Sequence, residues 1–179
     1  MGVDFQAIFT HSYKLSEIIK LPAILNENKT LQQINDNTTD KWRWVDTDLE
    51  LVFNRELFID LVGPNDLDIT FGKNLCVLYP GYRWKQFITN EHIQFKLRRI
   101  CYELSHLFET PLYVPEIYEC DGFVMDGKTM VDVKSYMYRR LGPPSPSIDV
   151  IIEKENEFEE FHGYEHGYLI DDFRDFKKG

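Results

Sequence analysis

Residues 67–71 and 75–79 are two short runs rich in aliphatic and aromatic side chains, separated only by Gly72-Lys73-Asn74. So short a connection joins only antiparallel neighbours, because parallel strands need a crossover of about a dozen residues or more. Gly and Asn also tolerate the positive φ that tight hairpin loops demand. The chain is therefore predicted to contain antiparallel sheet. Residues 90–108 add the second constraint: Ile93, Leu97, Ile100, Leu104, Leu107 and Phe108 recur at helical spacing behind an Asn90 cap, and Glu91, Lys96, Arg98, Arg99 and Glu103 fall on the opposite face. Together these features predict an α+β fold, a mostly antiparallel sheet packed against several helices, the longest at about 90–108.

The remaining elements follow from shorter signals. Val3, Phe5, Ala7 and Phe9 alternate as in a half-buried first strand. Ser16 offers an N-cap for a helix over 17–25 that Pro22 would interrupt, and Leu31 and Ile34 anchor a second short helix. Trp42, Trp44, Leu49, Leu51 and Phe53 suit buried structure, and residues 54–62, stopped by Gly63-Pro64, predict a helix. Leu112-Tyr113-Val114 reads as a strand stopped by Pro115, the β-branched run 148–152 as a weak strand, and Gly167-Tyr168-Leu169-Ile170 as a last strand or edge. The Pro and Ser cluster at 143–147 is a connector, since the 32 residues after it are too few for a core of their own. Residues 1–179 thus predict a single domain with an acidic C-terminal segment.

Composition narrows the class. Hydrophobic residues at 43% and aromatic residues at 15% supply ample apolar area for folding. No apolar run approaches the length of a membrane span, and no basic flank precedes an apolar stretch at the N-terminus, so the expectation is neither secretion nor membrane insertion. Cys76, Cys101 and Cys120 are odd in number, widely spaced and without a CxxC pair, which fits a reducing cytoplasm. The net charge of −10 repels phosphate backbones and anionic lipid and favours a cationic protein partner, so neither nucleic acid nor membrane is expected as a partner.

One run carries a chemical motif. From Glu116 to Ser135, Asp121 precedes Asp132-Val133-Lys134, and Pro115-Glu116 stands upstream. This run resembles the core of PD-(D/E)xK nucleases, in which an acid precedes a hairpin whose second strand carries the acid-x-Lys triplet. The resemblance implies Asp121 and Asp132 as Mg²⁺ ligands and Lys134 as the residue that orients the attacking water. The competing and favoured reading makes 129–141 a helix: Thr129 caps it with Asp132 at N3, Met130, Val133, Met137 and Leu141 form the apolar stripe, Arg139 and Arg140 occupy the last turn, and Gly142-Pro143-Pro144 stops it. On a helix, residues two apart diverge, so Asp132 and Lys134 would not share a metal.

His162 and His166 lie four apart among Glu159, Glu160, Glu165, Asp171 and Asp172, a spacing that would place two zinc ligands on one helix face. Gly163 and Gly167 weaken such a helix, and a solvated acidic segment is the default reading. His11 and Ser12, and Cys101 and His106, supply nucleophile and base types without a recognisable elbow. Trp42, Trp44 and Trp84 beside Arg43, Arg83 and Lys85 could serve base stacking, with core packing the plainer use. The favoured expectation is no enzyme, no cofactor and no metal, with Mg²⁺ only under the nuclease alternative.

The opening Met1-Gly2-Val3-Asp4-Phe5, the Tyr113-Val114-Pro115 strand end and the Gly127–Pro144 segment closing in Leu141-Gly142-Pro143-Pro144 resemble small acidic immunity proteins that bacteria encode beside polymorphic toxins. The resemblance implies a cytoplasmic binder that neutralises a cognate protein toxin of basic surface. Residues 153–160 and 165–175 are its candidate acidic surfaces, with exposed Tyr or Trp as anchors.

Overall fold

The computed structural model describes residues 3–34, 39–45, 48–49, 59–116, 119–157 and 167–177. Its centre is β1 (Phe5–Thr10), which pairs antiparallel with β5 (Leu75–Tyr79) on one side and with β6 (Leu112–Pro115) on the other. With β2 (Arg43–Trp44), β3 (Ile59–Val62), β4 (Asp68–Phe71) and β7 (Leu169–Ile170), the order across the antiparallel sheet is β2-β3-β4-β5-β1-β6-β7. The helices are α1 (Leu15–Ile18), α2 (Leu21–Glu27), α3 (Lys29–Ile34), α4 (Trp84–Thr89), α5 (Glu91–Leu104), α6 (Glu119–Met125), α7 (Met130–Leu141) and α8 (Ile148–Glu157). This is a single-domain α+β arrangement, as the hairpin and the 90–108 stripe predict.

The central position of β1 corrects the half-buried expectation. Phe5, Ala7 and Phe9 join one apolar cluster and Ile8 joins the other, so both faces of the strand are covered. The larger cluster packs Phe5 against Phe87 with tilted rings whose centroids are 4.5 Å apart and against Tyr113 at 5.3 Å, together with Trp84 of α4 and Leu97, Ile100 and Leu104 of α5. Each fully buried large side chain of this kind stabilises the fold by about 1.5–3 kcal/mol. The smaller cluster lies on the reverse face, where Val77, Leu112 and Val114 meet Val124 of α6 and Val133 and Met137 of α7.

The predicted hairpin forms with Asp68 opposite Tyr79 and Phe71 opposite Cys76. Its glycine, however, is required by packing and not by φ: a Cβ on Gly72 would stand 2.4 Å from the Val124 carbonyl oxygen of α6. The left-handed residues belong to the preceding hairpin, where Asn65 and Asp66 have φ of 55° and 59° and the Leu67 amide donates to the Pro64 carbonyl at 3.3 Å. Two positive φ values in succession make a type I′ turn, which Asn and Asp tolerate. Gly63-Pro64 therefore opens a β-turn instead of stopping a helix. Residues 59–62 are strand β3, which corrects that part of the predicted 54–62 helix, while 54–58 lie outside the described residues.

Three further boundaries differ from expectation. Lys14, not Ser16, caps α1, its amide donating to the Glu17 carboxylate at 2.8 Å, and Pro22 sits in the first turn of α2, where its missing N–H costs nothing. Helix α5 stops at Leu104 and the chain turns through Ser105 to Leu107 before the Phe108 ring lands on Phe9. Residues 148–152 form the start of helix α8, not a strand: the Val150 amide donates to Ser147 Oγ at 3.4 Å, and spacing of three and four residues puts Ile151 in the core with Ile148 and Ile152 against it. Burial of that stripe outweighs the β-branched preference. Helix α7 forms as the capping pattern predicts and ends at Gly142, whose φ of 79° suits glycine.

Candidate functional site

The nuclease arrangement needs Asp132 and Lys134 on a strand beside Asp121, and the fold puts them elsewhere. Asp132 is the N3 residue of α7: its carboxylate accepts from the Thr129 amide at 2.8 Å and from Thr129 Oγ1 at 2.7 Å. Those bonds hold its carboxyl below the usual range. Lys134 lies on the exposed side of the same helix, and Asp121 falls in helix α6. No hairpin of the PD-(D/E)xK kind forms from these residues, because the apolar stripe of Val133 and Met137 is satisfied only by a helix packed on the sheet. Among the described residues, no group of three or more His, Cys, Asp or Glu is placed to hold a metal ion. His162 and His166 lie outside the described residues.

The other candidate nucleophiles and bases are dispersed. His11 is buried and donates from Nε2 to the Gly72 carbonyl at 2.8 Å, and burial lowers its pKa. Ser12 beside it is exposed. Burial pushes the Cys76 and Cys101 thiols upward, away from the thiolate form that reacts. His106 is exposed, with its ring 4.9 Å from Tyr102. Trp42 and Trp84 are core residues and Trp44 packs edge-on to Phe71, while Arg83 pairs with Asp4 at 2.7 Å, so the aromatic and basic residues form no stacking platform.

Two polar arrangements emerge that the sequence reading did not find. The first is a clamp on the C-terminal segment. Arg98 of α5 donates from Nε and Nη2 to Asp171 at 2.6 and 3.1 Å and from Nη1 and Nη2 to Asp175 at 2.7 and 2.7 Å. Tyr113 of β6 donates its hydroxyl to Asp171 at 3.1 Å, and the guanidinium lies 5.1 Å from the Phe176 ring centroid. The bidentate pair with Arg98 holds the Asp175 carboxyl below its ordinary range, while burial raises the Tyr113 hydroxyl. Within the expected acidic surface at 165–175, residues 165 and 166 lie outside the described residues, Asp172 and Asp175 are exposed as expected, and Asp171 is drawn into the core. Asp171 is buried and Asp175 is bonded to Arg98, because β7 and Phe173 carry this segment into the core.

The second arrangement is carboxylate crowding on β3 and β4. Direct pairing sets Asp60 opposite Thr70 and Val62 opposite Asp68, all on the sheet face whose other half carries the smaller apolar cluster. Asp60 accepts from Thr70 Oγ1 at 2.6 Å. Burial, and then the charges of Asp60 and Asp66, raise the Asp68 carboxyl above its ordinary range. One Asp68 oxygen is buried without a hydrogen-bond partner among the described residues. Like charges held this close repel one another, and an incoming cation would relieve that repulsion. The alternation of 67–71 was the signal that could have found it: it places Asp68 and Thr70 on one side of the strand, with Asp60 and Asp66 close by in sequence.

These features define an α+β protein with an antiparallel seven-stranded sheet, a fastened C-terminal strap and a carboxylate-rich hairpin face. No family model matches the chain, and comparison with curated proteins and with solved structures found no match.

Proposed function

We propose that the protein is an immunity-type binder that acts in the bacterial cytoplasm, neutralising a cognate protein toxin by covering a basic surface on it. The observation that carries this reading is the Asp60, Asp66 and Asp68 cluster at the β3–β4 hairpin, in which burial first and then the two neighbouring carboxylates raise Asp68. A Lys or Arg from a partner would meet the charge of three acids at once and relieve their mutual repulsion. The overall charge of −10 adds long-range attraction for such a partner. The nuclease alternative has the weaker support, since it requires a strand where α7 stands.

The gene beside the one encoding this protein supplies the test. Its product, expressed alone in a host cell, should be lethal, and co-expression of this protein should restore growth. The Asp60→Asn, Asp66→Asn, Asp68→Asn triple variant should fold but lose rescue and capture in a pull-down. Failure of the wild-type protein to bind or protect would end the immunity reading. Mg²⁺-dependent cleavage of nucleic acid that Asp132→Ala abolishes would replace it with the nuclease.

A further inference from the structure

Helix α7 shows solvent a second, chemically opposite face. Residues 131, 134, 135, 138 and 139 are spaced three and four apart, so Val131, Lys134, Ser135, Tyr138 and Arg139 share one side and line a shallow open depression. Two large apolar side chains are among them, Val131 at 72% exposure and Tyr138 at 61%. The helix does not need them for packing, since Val133 and Met137 already meet the sheet from its other side. Neither Lys134 nor Arg139 has an acidic residue three or four positions away, and among the described residues neither makes an ion pair. Asp132, the one acid of α7, bonds to Thr129.

We infer that this face of α7 is a docking site for a short acidic segment of a partner protein, one bearing an aliphatic or aromatic anchor. Charge complementarity selects the occupant. Residues 128–141 hold four cations, Lys128, Lys134, Arg139 and Arg140, against the single anion Asp132. The rest of the chain then holds 16 cations and 29 anions (20 − 4 and 30 − 1). A long polyanion such as nucleic acid, or an anionic bilayer, would run onto that negative remainder and be repelled. A short peptide fits within the basic stripe, its acids on Lys134 and Arg139 and its apolar side chain on Tyr138 and Val131. Tyrosine is well suited to anchor it, being large and rigid with a polar tip. The site is on a different element from the β3–β4 carboxylates, so its failure would leave the immunity reading standing.

The test uses the full chain and a fluorescein-labelled peptide of sequence Glu-Glu-Leu-Glu-Glu-Leu-Trp-Glu-Glu, with controls in which Gln replaces each Glu, or Ser replaces Leu and Trp. Saturable binding should shift the backbone amide resonances of 131–139. Either control peptide, and either Lys134→Glu with Arg139→Glu or Tyr138→Ser, should bind about tenfold more weakly or worse, the size expected for removing about 1.4 kcal/mol of contact. These side chains are exposed, so the variants should keep the wild-type melting temperature; Lys134→Gln with Arg139→Gln is the milder pair if charge reversal disturbs folding. Absence of saturable binding overturns the inference, as does equal binding by the variants. Tighter binding of a single-stranded oligonucleotide at the same residues would reassign the face to nucleic acid. Self-association abolished by Tyr138→Ser would reassign it to a second copy of this chain.

Discussion

Arg98 is only 17% exposed and lies between Asp171, 5% exposed, and Asp175, 61% exposed. The two carboxylates are unequal in consequence. Replacing Arg98 by Ala leaves Asp171 buried without its counter-charge, a loss of about 3–5 kcal/mol by analogy with other broken buried pairs. Asp175→Ala removes a solvent-screened partner and should cost less than about 1 kcal/mol. Urea unfolding of the two variants separates them, and comparable losses would mean that the clamp is not centred on Asp171. His11 supplies a pH dependence of opposite origin. Burial lowers its pKa below the ordinary 6.5, so on acidification the unfolded chain takes up a proton that the folded protein refuses. Stability is therefore full above about pH 6.5 and falls as the pH drops from there toward the folded pKa. His11→Gln should flatten the decline in unfolding free energy between about pH 7 and pH 5.5, and an unchanged slope would assign that decline to other groups.

At the scale of elements, α7 is held by its first turn as well as by its stripe. Thr129 is the N-cap and exchanges hydrogen bonds with Asp132, so Thr129→Ala should destabilise the protein by about 1 kcal/mol. A melting curve indistinguishable from wild type would show that packing of Val133 and Met137 suffices. The same element explains what the sequence could reveal. Helices α5 and α7 and the β4–β5 hairpin carry caps, stripes and turn residues within a dozen or so positions, and these local signals agree with the final packing. Strand β3 and helix α8 lack that agreement. Their runs, 59–62 and 148–152, are short and apolar, and only their place against the sheet decides between helix and strand. The same difference applies to the sites. Asp132 as the capping-box partner of Thr129 was legible because the two are three residues apart, whereas Arg98 meets Asp171 across 73 positions and Asp68 is raised first by burial in the folded sheet and then by Asp60 and Asp66, across a turn that read as a helix stop.

For the whole molecule, the decisive property is the separation of charge. Residues 128–141 hold four cations against one anion while the rest of the chain holds 16 against 29, a segregation along the sequence that would polarise the molecule's field. Such a field would orient the basic partner proposed above before contact, steering its positive surface away from α7 and toward carboxylate-rich regions such as the β3–β4 hairpin. Electrostatic steering acts mainly on the association rate, and salt weakens it as the screening length shortens from about 10 Å at 0.1 M to about 3 Å at 1 M. On the proposed function, the association rate with a non-toxic variant of the neighbouring gene's product should fall at least about tenfold over that salt range while dissociation changes far less. The Asp60→Asn, Asp66→Asn, Asp68→Asn protein should associate more slowly at low salt and show a shallower salt dependence, because three charges no longer contribute to the field. Stopped-flow mixing measures both quantities. An association rate indifferent to salt, or a triple variant with the wild-type slope, would mean that the partner recognises apolar surface and that the carboxylates of this hairpin take no part in capture.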